Sequence, residues 1–274
     1  MVENLRAILV CVDYSDILAI TLPRMRHHFK EMHVVTSNTD FQTTHLVTDW
    51  NCSNHDLNVY PLEEYHTHLH HTDLFTADGA VMNKWRALEW ALDQMGRHGW
   101  MCLLDADVIW PRNAKLPDLQ VGQLCSPLRR MLVNPIPQSF DDLIRQVDNE
   151  RGWQFCPIHR NVNEWAGYSQ IFHAADPVLG SPPWHDIDWS HAGGADSFFQ
   201  AKWAKENKVR PDWECLHIGN AGENWFGRAS PRLDGSVPEK RAENLRETDE
   251  LWRRRAARRR EGLDQFAPER IKPT

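Results

Sequence analysis

Residues 100–110, Trp100-Met101-Cys102-Leu103-Leu104-Asp105-Ala106-Asp107-Val108-Ile109-Trp110, decide the reading of this chain. A short apolar run bounded by polar residues reads as a buried strand. Two acids follow it directly, and carboxylates two residues apart point to the same side of an extended segment. Hard oxygen donors in such a pair suit Mg²⁺ or Mn²⁺ carrying a substrate's phosphates, so the pattern is that of a cation clamping a diphosphate at a strand end. A lone Asp-x-Asp also occurs by chance as two solvated turn acids. The strand-end context favours the metal.

Upstream, residues Ala7 to Val12 form a short, β-branched apolar run that breaks at Asp13-Tyr14-Ser15-Asp16, as a parallel strand and its turn would. Ile17 to Phe29 carries Leu18, Leu22, Met25 and Phe29 at helical spacing, and Met32 to Ser37 is a second strand breaking at Asn38-Thr39-Asp40. Two strand-loop-helix units predict an α/β fold, a mostly parallel Rossmann-like sheet flanked by helices. Leu57 to Leu62 is a further strand candidate, and Asn83 to Gly96 a helix with Trp85, Leu88, Leu92 and Met95 on its apolar face. Ligands of open α/β sheets bind outside the carboxyl ends of the strands, which places Asp13, Asp40, Asp105 and Asp107 along one rim.

Downstream, the expected elements are strands at 118–126 and 165–172, a short helix at 140–148, a helix at 195–207, a strand at 213–218 and a long charged helix at 238–262. The domain expectation is a catalytic domain at 1–235, with a nucleotide-binding half at 1–115 and an acceptor-binding half at 116–235. A charged C-terminal helix and tail follow at 236–274. No internal repeat appears.

Composition sets outer bounds. The 274 residues, 41% hydrophobic and 25% charged, are those of an ordinary globular protein with a full core. No run of 18 apolar residues suggests a transmembrane segment, and the start shows no basic leader, so the expectation is a cytoplasmic protein. Six cysteines without CxxC spacing argue against structural zinc and a disulfide framework. A net charge of -7 argues against whole-surface attraction to nucleic acid. The thirteen tryptophans suit both cores and sugar-stacking surfaces.

Two further segments carry chemistry. Cys215-Leu216-His217-Ile218-Gly219-Asn220 ends a short apolar run with a histidine, and one imidazole added to two carboxylates makes a sensible Mn²⁺ set. Gly193-Gly194-Ala195-Asp196-Ser197 opens a helix with an acid in its first turn. Two accounts of Asp196 stand side by side: it complements the helix dipole, or it is a general base on an incoming hydroxyl, with the glycines admitting substrate.

In this order the segments Ile8 to Asp13, Val34 to Asp40, Asn83-Lys84, Leu103 to Asp107, Gly193 to Asp196 and His217 resemble the glycosyltransferase-A fold of nucleotide-sugar-dependent transferases, over about 220 residues. Gly-Gly-Ala-Asp followed by a histidine is most similar to inverting members related to β-1,4-galactosyltransferases. Their Gly-Gly-Glu-Asp-Asp differs here at Ala195. The resemblance implies a metal-dependent glycosyltransferase using a nucleoside-diphosphate sugar, uridine by family analogy. Asp105, Asp107 and His217 would hold Mn²⁺ or Mg²⁺. Val12, Asp13 and Tyr14, with Thr36 and Asp40, would line the base pocket, Lys84 would reach the phosphate or ribose, and Ala106 lies within the donor site. Asp196 would act as the base of an inverting transfer. His217-Ile218-Gly219 followed by Trp225 also resembles retaining relatives, so the stereochemistry stays open.

Other segments read more plainly. His66, His68, His70 and His71 alternate as imidazoles on one strand face would, but with no completing carboxylate-histidine pattern they are taken as a polar exposed loop. Trp165, Gly167, Tyr168, Ser169 and Gln170 are either a sugar floor or a core strand, and Trp184 and Trp189 either a stacking wall or loop anchors. Arg253-Arg254-Arg255 and Arg258-Arg259-Arg260 read first as a solvated helix face beside Glu239, Glu243, Glu247 and Glu250. A sharper alternative is a phosphate-binding tail delivering DNA with hydroxymethylated bases to a DNA-modifying glycosyltransferase. The sequence does not disclose the acceptor; a glycan and such DNA are the candidates. Two rival classes are a metal-dependent nucleotidyltransferase, which lacks its glycine-rich loop here, and a non-catalytic nucleotide- or nucleic-acid-binding protein.

Overall fold

The computed structural model describes residues 2, 4–56, 66–132, 140–158, 165, 167–188, 191–193, 195–219, 224, 227–228 and 230–236. The strand expected at 57–62 and the charged helix at 238–262, with its arginine runs, lie outside them, as do Gly194, Trp189 and Trp225.

The N-terminal units form as their patterns require. β1 (Arg6–Val10) leads into α1 (Ser15–Met25), and β2 (Glu31–Thr36) into α2 (Phe41–Asp56). β3 (His66–His71) follows. α3 (Lys84–Met95) starts at Asn83, whose side chain accepts the Arg86 N–H, and stops at Gly96 with φ 77°. That N-cap and the left-handed glycine match the ordinary start and stop signals of a helix. β4 (Trp100–Asp105) and the two-residue β5 (Val108–Ile109) are separated by a turn at Ala106-Asp107. The remaining elements are β6 (Leu124–Cys125), β7 (Leu128–Leu132), α4 (Phe140–Asp148), β8 (Ser169–His173), α5 (Ala195–Gln200), β9 (Lys208–Val209) and β10 (Glu214–Ile218).

The protein is a mixed α/β fold with a mostly parallel seven-stranded sheet, in the order β3-β2-β1-β4-β8-β6-β9, and a three-stranded sheet in the order β5-β10-β7. β3, β2, β1 and β4 run parallel, whereas β8 is antiparallel to β4 and to β6. One face of the large sheet packs Ala7, Leu9, Cys11, Met32 and Val34 with Leu18, Leu22 and Met25 of α1. The other packs Ile8, Val35, Met101 and Leu103 with Leu88, Ala91 and Leu92 of α3 and with Phe172, Phe199 and Trp203. Each fully buried side chain of this size contributes about 1.5–3 kcal/mol.

Three expectations are corrected. The 66–71 segment is not a polar loop but the edge strand β3, paired in register with β2 from Glu31↔His66 to Thr36↔His71. Main-chain pairing with a buried neighbour overrides the polar composition. The helix expected at 195–207 stops at Gln200, because the Trp203 indole N–H is drawn onto Asp176 Oδ2 at 2.7 Å and the chain turns to bury that ring. The strand expected at 118–126 is reduced to Leu124–Cys125, and β7 beside it was unforeseen. The four buried thiols Cys11, Cys102, Cys125 and Cys215 are free, as expected of small core hydrophobes.

Candidate active site

β1, β2 and β4 end together, with Val10 opposite both Val35 and Asp105. Parallel register therefore brings the 13–16 loop and the Asp105-Ala106-Asp107 turn to one rim. Asp107 is carried by the turn, not by the strand as the period-two reading had it. That turn is held at three points: Thr21 Oγ1 donates to Ala106 O at 2.7 Å, the Ile218 N–H donates to Asp107 O at 2.8 Å, and the Asp105 N–H donates to Tyr168 O at 3.0 Å. β10 pairs with β5 through His217↔Val108, which delivers the imidazole.

Potential ligand atoms of Asp105, Asp107 and His217 all lie within 4.8 Å of one another. His217 Nε2 is 3.5 Å from Asp107 Oδ1. Among the described residues, Asp107 Oδ1 and His217 Nδ1 are buried without a hydrogen-bond partner. Each such group costs about 1–3 kcal/mol unless something binds it. Two carboxylates and an imidazole, with the buried Asp107 Oδ1 left unsatisfied beside His217 Nε2, fit a divalent cation of the Mn²⁺ or Mg²⁺ class. Burial pushes the Asp107 carboxyl upward and Asp105 adds to this, outweighing the pull of His217 and Lys84.

Lys84, the first residue of α3, donates to Asp105 Oδ1. Its burial disfavours the ammonium, but Asp105 first, then Asp196 and Asp107, more than restore the charge, so its pKa lies above the usual lysine value. Asp196, at the start of α5, accepts the Gly167 N–H at 2.6 Å on Oδ2 and the Ser197 N–H at 2.9 Å on Oδ1. A Cβ on Gly167 would lie 2.5 Å from the Asp196 Cβ, so this close approach requires glycine. Asp196 is close enough to Lys84 to raise its pKa.

The nucleotide-side residues divide by exposure. Val12 is half-buried and Asp13 exposed, with φ 58°. Asp40 is buried, and its carboxylate accepts from Asp13 N at 2.8 Å, Thr43 N at 3.0 Å, Thr36 Oγ1 at 3.2 Å and Thr43 Oγ1 at 2.7 Å. Asp40 and the fully buried Thr36 therefore shape the 13–16 loop and cap α2. The Tyr14 phenol is largely enclosed, and burial, with Asp107 nearby, raises its pKa.

Sequence reasoning missed a strap formed by residues 224, 227–228 and 230–236. Arg228 pairs with Asp16, with its second nitrogen 2.8 Å from Oδ2, donates to Asp13 O at 2.8 Å and lies 4.7 Å over the Tyr14 ring. Asn224 donates to the Tyr14 hydroxyl. An arginine more than 200 residues away in sequence carries no local signal of these contacts. Of the two readings of Trp184, a stacking wall or a loop anchor, its burial under the Arg97 guanidinium at 4.6 Å and against Phe172 favours the anchor. Gln170 is wholly buried and donates to Trp165 O at 2.7 Å, which places β8 in the core rather than on an open floor.

No family model and no curated protein matches the chain. Solved structures that align with it include two of the glucosyl-3-phosphoglycerate synthase of M. tuberculosis, at 12% and 11% identity. The alignments cover 96% of this chain and 82% and 81% of the other, with TM-scores of 0.38 and 0.42. The second holds phosphoglyceric acid. A likeness this remote carries no functional weight, and the site rests on its own residues. Among the described residues, no helix is long and apolar enough to cross a membrane.

Proposed function

We propose that the protein is a metal-dependent glycosyltransferase that moves a sugar from a nucleoside-diphosphate donor, UDP-linked by the family resemblance, to an acceptor hydroxyl. The observation that carries this reading is the Asp105-Asp107-His217 cluster at the carboxyl rim of the sheet, with Lys84 bonded to Asp105 and Asp196 close enough to act on Lys84. Asp105, Asp107 and His217 are the residues that would hold Mn²⁺ or Mg²⁺. When bound, such an ion would stabilise the departing diphosphate. Lys84 adds a fixed positive charge beside the same oxygens. Val12, Asp13, Tyr14 and Ala106 border the donor, with Asp40 and Thr36 holding the loop that receives the base.

Asp196 is the proposed general base, taking the acceptor proton in an inverting transfer. Two backbone donors orient its carboxylate while each oxygen keeps a further lone pair, so it is positioned without being saturated. Among the described residues, nothing favours the galactosyltransferase-like subgroup over other members. Residues 1–235 are the proposed catalytic unit, although the seven-stranded sheet draws β1 to β4 from the first half and β6, β8 and β9 from the second.

The test is calorimetric binding of nucleoside diphosphates with Mn²⁺ and with chelator. Metal-dependent selection of one nucleoside supports the reading. No binding under either condition overturns it in favour of the nucleotidyltransferase or non-catalytic alternatives.

A further inference from the structure

A second cluster lies mid-strand at the sheet edge, away from the carboxyl rim. Because β3 pairs in parallel with β2, His33 stands opposite His68 and Glu31 opposite His66. The two-residue period then puts Glu31, His33, His66, His68 and His70 on one face, the α3 side, where His70 meets Trp90 at 6.2 Å between ring centroids. Potential ligand atoms of Glu31, His33 and His68 all lie within 4.8 Å of one another. We propose that Glu31, His33 and His68 form a binding site for a zinc-class divalent ion, independent of the rim cluster.

The hydrogen bonds favour this. His33 Nδ1 lies 2.8 Å from His70 Nε2, so one proton is shared between them and one of the two nitrogens must accept. In the metal-free protein Glu31 Oε2 accepts from His33 Nε2–H at 3.4 Å and His33 Nδ1 accepts from His70 Nε2–H; an ion on Nε2 would displace that proton and leave Nδ1–H to donate to His70. That is the arrangement by which an outer partner fixes the tautomer of a metal-binding histidine. His33 is buried and held, Glu31 is half-buried, and His68 is exposed, its ring stacked on His33 at 4.6 Å between centroids. A tetrahedral zinc with bonds of about 2.0–2.1 Å needs ligand atoms roughly 3.4 Å apart, a contraction for which the exposed His68 ring would turn out of its stacking on His33. Three protein ligands and a solvent-facing side leave a fourth position for water.

The nearby cations set the selectivity. Arg6 Nη1 approaches Glu31 Oε2 at 4.0 Å, while its guanidinium is anchored on Met95 O and Gly96 O at 2.8 and 2.9 Å. Arg26 is also close enough to act on His68. Beside two fixed positive charges and a single carboxylate, ions bound mainly by charge, Mg²⁺ and Ca²⁺, are disfavoured. Imidazole-preferring ions are retained. Bound there, the ion would clamp the edge strand β3 to β2.

The test uses tag-free full-length protein titrated with Zn²⁺ alone by calorimetry. The Asp107→Asn/His217→Ala double variant removes the rim ligands. It is expected to keep one zinc equivalent. Adding His68→Ala, at an exposed position where circular dichroism confirms the fold, is expected to weaken zinc at least tenfold. A double variant that takes up no zinc overturns the proposal, as does a loss smaller than tenfold on adding His68→Ala. Neither result bears on donor binding, which is read separately with Mn²⁺.

Discussion

The rim cluster and the edge cluster are both built from three potential ligands within 4.8 Å, yet they differ in nearly every physical respect. At the rim, two carboxylates meet one imidazole where parallel strands end and a turn begins, and a half-buried lysine balances their charge. At the edge, two imidazoles meet one carboxylate in the middle of paired strands, with arginine nearby. Strand ends leave space for a large phosphorylated ligand, whereas the middle of a strand pair leaves room for little beyond an ion and a water. Hard oxygen donors suit ions that carry phosphates, and imidazoles suit ions that stay with the protein. The same count of ligands therefore points to two different jobs.

The largest effect that would sharpen this contrast is expected from Asp107→Asn. Turnover of the nucleotide sugar should fall by about a thousandfold, the several kcal/mol that a catalytic metal supplies, while zinc uptake at the edge stays unchanged. Initial-rate kinetics beside zinc calorimetry checks this. Parallel losses in both would break the distinction.

Next is Asp196→Asn, expected to lower transfer by about a hundredfold and leave Mn²⁺-dependent diphosphate binding within error, as removal of a general base should. An equal loss of binding would show that Asp196 belongs to the donor pocket. Lys84→Met should cost about 2–3 kcal/mol of stability in chelator, because it strands Asp105 beside Asp107, and Mn²⁺ should recover part of that loss. Urea unfolding with and without the ion measures it. A cost that Mn²⁺ leaves untouched would separate Lys84 from the cluster.

The smallest effect is a pH dependence in metal-free protein, where the two regions oppose each other. Burial first, then His68 and His70, lowers the His33 pKa to about 4, and burial lowers those of His68 and His70. Because the unfolded chain binds the extra protons, this stability is present above about pH 6.5 and is lost as pH falls toward 4, by on the order of 2 kcal/mol. Asp107, raised chiefly by burial, has the reverse sign: its protonation on acidification favours the folded state. His33→Gln should flatten the acid-side loss, and Asp107→Asn should steepen it. Unfolding free energies from pH 4 to 7 test both signs.

What could be read in advance followed local periodicity. The α3 boundaries were visible in Asn83 and Gly96, the buried strand before Asp105 in five consecutive apolar letters, and α4 at the observed 140–148. His66 to His71 was misread because strand patterns are recognised by alternating apolar residues, and imidazoles give no such signal. The end of α5 was misplaced because Trp203 continues a helical pattern that Asp176 interrupts from elsewhere in the chain.

By itself, the sequence determined the α/β class and the strand that carries Asp105, since these depend on residues within a few positions of each other; that His217 meets Asp105 and Asp107 was decided by sheet pairing. Only the tertiary structure decided that Lys84 binds Asp105, that Arg228 straps the Tyr14 loop, that Gly167 cradles Asp196 and that Glu31 and His33 complete the alternating histidines. Each of these joins groups far apart in sequence. Local propensity acts over a few residues, whereas sheet register and helix packing set which distant side chains meet.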